Sequence, residues 1–299
     1  MNRTLLTGAA GFTGRYLARL LAERGDEVHG LVHGDAGEPI DGATGVYSAD
    51  LAELASVEAV VAEVRPTHVV HLAAIAFVAH DDVNELYRSN IVGTRQLLEA
   101  LSRMAEPPRS ILVASSANIY GNSREGVLDE TLPPAPANDY GISKVAVESL
   151  AHIYSDRLPL TIVRPFNYTG RGQSANFVIP KIVEHARERT RVIELGNLDV
   201  FRDFSDVRTV VDSYARLLDE PRAIAGTFNI ASGEAVSLRE IIKLVERLSK
   251  HSFEVKVNPA FVRANDVRSL CGSAARVESV IGPLDRIPLE ETLRWMLEA

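Results

Sequence analysis

Residues Thr4 to Gly14 read TLLTGAAGFTG: a short apolar run closes on Gly8, Gly11 and Gly14, and a helical-period segment opens behind them near Arg15. A glycine-rich turn between a strand and a helix lets the backbone come close to a pyrophosphate, whose charge is met by N–H groups at the helix N-terminus. The spacing is GxxGxxG, not the GxGxxG fingerprint, and glycines so spaced also make ordinary tight turns. Position directly behind the first strand turns the reading toward a dinucleotide, with Gly8, Gly11, Phe12, Thr13 and Gly14 lining its site.

Outward from this turn, apolar runs alternate with segments of helical period. Thr4–Thr7, Glu27–Val32, Val69–Leu72, Ser110–Ala114 and Leu160–Val163 read as strands; Tyr16–Arg24, Leu54–Val64, Asn84–Met104 and Tyr140–Arg157 read as helices. Unbroken apolar runs such as SILVA suit strands buried on both faces, so the rhythm predicts an α/β fold with a doubly wound (Rossmann) parallel sheet. Past residue 164 the rhythm loosens into RPFNYTGRGQ and LGNLDVFRDFSD, followed by helices around Val207–Leu218 and Leu238–Leu248. The expected division is a dinucleotide-binding domain over 1–164 and a smaller substrate-binding lobe over 165–299, some segments of which return to the sheet. That lobe should cap the carboxyl edge, where open α/β sheets bind ligands.

Nearly half of the 299 residues are apolar, enough to build a large core without cross-links. Cys271 is the only cysteine, which excludes an internal disulfide and a thiolate metal cluster, and suits a reducing cytoplasm. The formal charge of -8, with no block of Lys or Arg, argues against nucleic-acid or anionic-membrane binding. The N-terminus lacks the pattern of a signal peptide, and no apolar run reaches the roughly 20 residues of a membrane span. The histidines are mostly scattered along the chain, so no metal site is expected, and His71 reads as a structural strand-end residue.

The second strand ends in Val32-His33-Gly34-Asp35, with the acid displaced past a glycine. An acid at the strand end would bond the ribose 2′-hydroxyl of NAD, whereas a 2′-phosphate prefers positive or neutral neighbours, so NADP(H) is favoured and NAD(H) stays possible. SILVASS carries Ser116 to the carboxyl end of another strand, and in NDYGISKVAVE Tyr140 and Lys144 share one helical face. Alone, that pair is simply the first turn of an amphipathic helix. In this order the residues could serve one active site, because a phenol with a pKa near 10 exchanges protons at neutral pH only with positive charge beside it.

Through GAAGFTG, Asp50-Leu51, HLAA at 71–74, SSANIYG and YGISK, the whole chain resembles the extended short-chain dehydrogenase/reductase family. The resemblance implies that Ser116 bonds the substrate oxygen, that Tyr140 gives or takes its proton, and that Lys144 also holds the nicotinamide ribose. It adds His33, Asp50, Leu51, Leu72, Ala73, Ala74 and Asn90, with Tyr140 and Lys144, to the cofactor contacts. Dehydratases in this family place an acid one or two residues past the catalytic hydroxyl. Ala117 and Asn118 stand there, so carbonyl reduction or 4-epimerisation remains.

On the substrate side the same resemblance implies a sugar-nucleotide site with Asn118 at the sugar. Asn167 and Arg202 fall at the diphosphate, Asn176, Phe177, Val178 and Lys181 along the nucleotide, and Arg263 and Asp266 at phosphate and ribose. Arginine suits phosphate through its paired, charge-assisted bonds. The wording RPFNYTGRGQ, NFVIPK and GNLDVFRDF is most similar to the GDP-4-dehydro-6-deoxy-D-mannose reductase branch, although Arg171 stands where proline is common. The expectation is NAD(P)H-dependent reduction of a nucleotide-linked 4-keto-6-deoxyhexose, with GDP-D-rhamnose as product, by a homodimer joined through helices 84–104 and 140–157. The rivals are a 4-epimerase holding NAD tightly and a non-catalytic dinucleotide sensor.

Overall fold

The run RTLLT forms β1 (Arg3–Thr7), buried from Thr4 onward because strands lie on both sides of it and helices on both faces. The structure, a computed structural model, describes residues 1–76, 82–121, 126–261 and 269–298. Strands β2 (Glu27–Val32), β3 (Gly45–Ser48), β4 (His68–His71), β5 (Ser110–Ala114), β6 (Val127–Leu128) and β7 (Leu160–Pro165) follow. Then come β8 (Asn167–Thr169), β9 (Val192–Leu195), β10 (Phe201–Asp206), β11 (Thr227–Ile230), β12 (Ala235–Ser237), β13 (Glu254–Val257) and β14 (Ser269–Gly272). The helices are α1 (Phe12–Glu23), α2 (Leu54–Val64), α3 (Val83–Tyr87), α4 (Gly93–Ser102) and α5 (Asp139–Tyr154). They continue with α6 (Val178–Arg187), α7 (Val207–Leu218), α8 (Leu238–Ser249), α9 (Ala275–Ile281) and α10 (Leu289–Leu297).

The main sheet is seven-stranded and parallel, in the order β11-β7-β5-β4-β1-β2-β3, so the predicted doubly wound fold is the observed one. One face packs against α1 and α7 through Leu17, Leu21, Val210 and Leu217. The other packs against α2, α4 and α5 through Val57, Leu97, Leu101 and Val147. Each such side chain contributes about 1.5–3 kcal/mol when fully buried. The chain order reverses between β1 and β4, which leaves a crevice outside their carboxyl ends. A separate apolar cluster joins α6, α8 and α10, and the short strands β12, β10, β14 and β6, with β8 beside β10, form a second sheet.

Three expectations change. The edge strands β3 and β11 went unread, being four residues each, with β3 only half buried. The helix expected over 84–104 is α3, a π turn over Arg88–Val92 and then α4. Helix α1 starts at Phe12 rather than near Arg15, so Gly14 lies inside its first turn. Among the described residues no helix is long and apolar enough to cross a membrane.

Candidate active site

β5 delivers Ser115 and Ser116 to the carboxyl edge, where Ser116 caps a 3-10 turn over Ala117–Tyr120. Its Oγ accepts from the Asn118 backbone N–H at 3.2 Å and the Asn118 side-chain amide at 3.1 Å. Helix α5 starts against this turn: the Asn138 side chain caps it at Gly141 N–H (2.8 Å), and a Cβ on Gly141 would lie 2.8 Å from the Asn118 carbonyl oxygen. This close approach needs glycine. It brings the buried Tyr140 hydroxyl into a hydrogen bond with Ser116, while Lys144, one turn on, donates from Nζ to the Ala114 carbonyl at 2.7 Å. The ammonium lies 5.8 Å from the Tyr140 ring centroid. Ser116, from the end of β5, therefore joins Tyr140 and Lys144 of α5 in one cluster.

Burial pushes the Tyr140 phenol above its ordinary range, with the Ser116 bond pulling the other way. Burial also brings Lys144 down to about 8, opposed by the charge of Glu148. In the protein alone, then, Tyr140 is held as the neutral acid. His71 is structural: Nε2 faces Thr94 Oγ1 at 2.9 Å and Nδ1 faces Thr7 Oγ1 at 2.7 Å. Because Thr94 Oγ1 donates to the Asn90 carbonyl at 2.6 Å, it must accept from Nε2–H, which leaves Nδ1 to accept from Thr7. Burial, then the Lys144 charge, lower the His71 pKa to about 3, so the ring is neutral.

At the glycine turn Gly8 has φ +70°, and a Cβ there would lie 2.9 Å from the Ala73 nitrogen. A Cβ on Gly14 would lie 2.2 Å from the Gly8 carbonyl oxygen. These gaps keep the turn tight against β4 and leave the first-turn N–H groups of α1 without intrahelical partners, which is a cradle fit for a pyrophosphate. The Phe12 ring stacks on Tyr168 at 6.1 Å, and Thr13 Oγ1 is hydrogen-bonded to the Tyr168 hydroxyl at 2.8 Å, so both side chains face the lobe. Leu72, Ala73 and Ala74 follow β4 at the same crevice, and Ala73 N–H donates to Thr7 Oγ1 at 3.1 Å.

Beside the turn a cleft of ≈ 230 Å³ is lined by Ala10, Arg15, Val32, Asp35, Ile40 and Val46. Val32, Ile40 and Val46 offer an apolar wall to an adenine, and at the rim Arg15 stands with the carboxylates of Asp35 and Glu38. His33 is exposed just past β2, and Asp50 is half-buried with Leu51 beside it. The Asp50 carboxylate accepts from Ala52 N–H at 2.8 Å and from Arg88 Nη1 at 2.9 Å; the backbone bond leads in holding its pKa below the usual value. Asn90 is buried, its amide spent on the Ile75 backbone (2.8 and 3.2 Å) and Ser143 Oγ (3.0 Å). It braces the π turn against α5, so any part it has toward a cofactor runs through those segments.

On the lobe side Asn167 in β8 pairs with Phe204 in β10, and its amide donates to the Asp203 carbonyl at 3.3 Å. Arg202, also in β10, donates from Nη1 to the Phe201 carbonyl at 2.8 Å. Asn176 and Phe177 are exposed just before Val178, which opens α6. Lys181 turns its ammonium to the Glu194 carbonyl (2.8 Å) and over the Phe261 ring (4.6 Å), so in this structure it binds α6 to β9. Arg263 and Asp266 lie outside the described residues.

Two groups went unnoticed in the sequence. Asp203, fully buried beside Arg202, accepts from the N–H groups of Ser232 (2.8 Å), Gly233 (2.9 Å) and Gly272 (3.2 Å), tying three segments at the foot of the lobe. Glu148, one turn beyond Lys144, is buried with Arg164 and Ser115; its spacing from Tyr140 and Lys144 was the available signal.

The family model described as GDP-mannose 4,6 dehydratase matches residues 5–296. The GDP-6-deoxy-D-talose 4-dehydrogenase of Aggregatibacter actinomycetemcomitans is 34% identical over 94% of this chain and 91% of its own. The GDP-6-deoxy-D-mannose reductase of Pseudomonas aeruginosa is 34% identical over 70% and 71%. Among solved structures, a Burkholderia cenocepacia J2315 protein described as a candidate epimerase superposes with TM-score 0.93 at 47% identity, covering 99% of this chain and 97% of that one. RMD from Pseudomonas aeruginosa, complexed with NADPH, superposes with TM-score 0.85 at 30% identity, covering 100% and 98%.

Proposed function

We propose, for a chain that belongs to the family described as GDP-mannose 4,6 dehydratase within the extended short-chain dehydrogenases/reductases, that it reduces the 4-keto group of GDP-4-dehydro-6-deoxy-D-mannose to give GDP-D-rhamnose. At the coarser level it is a nucleotide-sugar-modifying oxidoreductase that uses a nicotinamide dinucleotide. The observation that carries the finer reading is the Ser116–Tyr140–Lys144 cluster with the Asn118 amide, not a carboxylate, on Ser116. Elimination of water next to a ketone needs a base for the neighbouring C–H proton and an acid for the leaving hydroxyl. Among the described residues, the buried carboxylate closest in sequence to this cluster, Glu148, is already held by Arg164 and Ser115.

The dinucleotide, when bound, supplies the hydride. The chain supplies the rest: Ser116 holds the carbonyl oxygen, Tyr140 passes its hydroxyl proton to that oxygen, and Lys144 stabilises the phenolate left behind until solvent reprotonates it. The turn at Gly8–Gly14 would hold the pyrophosphate, Arg15 lines the cleft where a 2′-phosphate would lie, and His33 is exposed just past β2. The Asp35 side chain accepts from Gly37 N–H at 2.9 Å, which leaves it less able to accept a ribose hydroxyl. These features support NADP(H); kcat/KM is expected to be about tenfold or more higher with NADPH than with NADH, and equal values would remove the preference.

The test is loss of NADPH absorbance when purified protein meets GDP-, UDP- and dTDP-linked 4-keto-6-deoxy sugars; turnover with none of them defeats the reading. A 4-epimerase is the second reading, favoured by the 47% identity with the candidate epimerase, and it predicts co-purified NAD with no net redox change. Arg202→Ala is expected to raise KM for the sugar nucleotide about tenfold with little change in kcat, as fits a charge-assisted bond of about 1.5–3 kcal/mol.

The working form proposed is a cytoplasmic homodimer. Supporting it, Val92 at the end of the π turn and Ile142 and Ile153 on α5 are exposed apolar side chains. Light scattering should give twice the 32.6 kDa chain mass.

A further inference from the structure

We infer that Glu148 is a positioning residue for proton transfer: its carboxylate, clamped by Arg164 and Ser115, holds Lys144 charged and in place beside Tyr140. The inference rests on the Tyr140–Lys144 chemistry proposed above and not on which sugar is reduced.

The clamp joins three elements. From α5, Glu148 accepts from Ser115 Oγ at 2.6 Å, from Arg164 Nε at 2.9 Å and from Arg164 Nη2 at 2.7 Å. Arg164 comes from β7, and Ser115 from the end of β5. The remaining arm of Arg164 donates to the Tyr120 hydroxyl at 2.9 Å, which donates to Asn229 Oδ1 at 2.8 Å. Both charged groups are 7% exposed. Desolvating such a pair costs several kcal/mol per ion, so it is a poor way to gain stability alone. Its place in the chain is informative. Ser115 stands between Ala114, whose carbonyl receives the Lys144 ammonium, and Ser116, which bonds Tyr140. One carboxylate thus fixes the acceptor of Lys144 and the hydroxyl beside Tyr140.

The charge balance around Lys144 agrees. On its own helix it faces Tyr140 and Glu148. From β4 it faces His71, which the bonds to Thr7 and Thr94 hold neutral. From β7 Arg164 is held on the Glu148 carboxylate by its fork, and Tyr120, at the end of the 3-10 turn, is engaged by Arg164 and Asn229. Glu148 is the group that opposes the loss of the Lys144 proton on burial.

The experiment is the pH profile of kcat for NADPH-dependent reduction in wild type, Glu148→Gln, Glu148→Asp and Ser115→Ala, with thermal midpoints alongside. Glu148→Gln keeps an oxygen acceptor and removes the charge. Its alkaline limb is expected about one pH unit lower, with Glu148→Asp in between and Ser115→Ala unmoved. Should Glu148→Gln fail to fold because Arg164 is left unpaired, the double variant Glu148→Gln/Arg164→Gln, which removes both charges of the pair, is expected to show a smaller shift of the same acid-ward sign, because Glu148 is the member of the pair one turn from Lys144. A folded variant with an unmoved limb and only a lowered midpoint overturns the inference, because a mere brace would not move a titration. An active Tyr140→Phe would instead overturn the proton-transfer reading itself.

Discussion

Replacing Tyr140 by Phe is expected to lower kcat for ketone reduction by about 10²–10⁴-fold while leaving dinucleotide binding within a few-fold of wild type. The ring keeps its buried place at the start of α5. Ser116 keeps the two donors from Asn118, and its own O–H loses the Tyr140 oxygen as acceptor at a cost of about 1 kcal/mol. Stability should change little; what goes is the proton. Cofactor titration by fluorescence together with steady-state kinetics tests this, and a variant with kcat within tenfold of wild type would take Tyr140 out of the mechanism. The sign of the pH dependence follows from the same environment. Burial raises the Tyr140 pKa, so the acid needed for reduction is present through neutral pH. Burial brings Lys144 down to about 8, so reduction should fall as pH rises through that region and the phenolate loses its cation.

Gly14→Ala is the second large effect. The added Cβ would lie 2.2 Å from the Gly8 carbonyl oxygen, 2.7 Å from Ala9 Cα and 2.8 Å from the Ala9 carbonyl oxygen. All three are backbone atoms of the turn, so no side chain can swing aside. Overpacking of this kind costs about 1–3 kcal/mol or more, and relief must come from moving α1 away from the turn. The N–H groups that would face the pyrophosphate move with it. A thermal midpoint lower by several degrees and a dinucleotide Kd raised at least about tenfold are expected. Calorimetry with NADPH decides: unchanged affinity would mean that the cofactor is not held at this turn.

Much of this was legible along the chain. TLLT, SILVA and LTIV carry only aliphatic residues, threonine and serine because they lie inside a parallel sheet, and a run of that kind announces its own burial. The glycine turn and the Tyr140–Lys144 pair are local patterns, four to seven residues long, and local sterics suffice to read them. The break at Arg88–Val92 was not legible: the apolar period continues through it, and its cause is Asn90 reaching Ile75 and Ser143 across the fold. Nor was the small sheet of β6, β8, β10, β12 and β14, whose pairings join residues from 127 to 272 by register alone.

The class of fold, the glycine turn after the first strand and the residue types available for proton transfer could be read along the chain, because each depends on near neighbours. That Lys181 ties α6 to β9, that Asn90 and Asp203 are braces, and that Glu148 stands one turn beyond Lys144 in a knot with Arg164 and Ser115 came from packing across the fold. A charge or amide takes its role from what desolvates and satisfies it. Here those partners come from elements tens of residues away, brought together by packing.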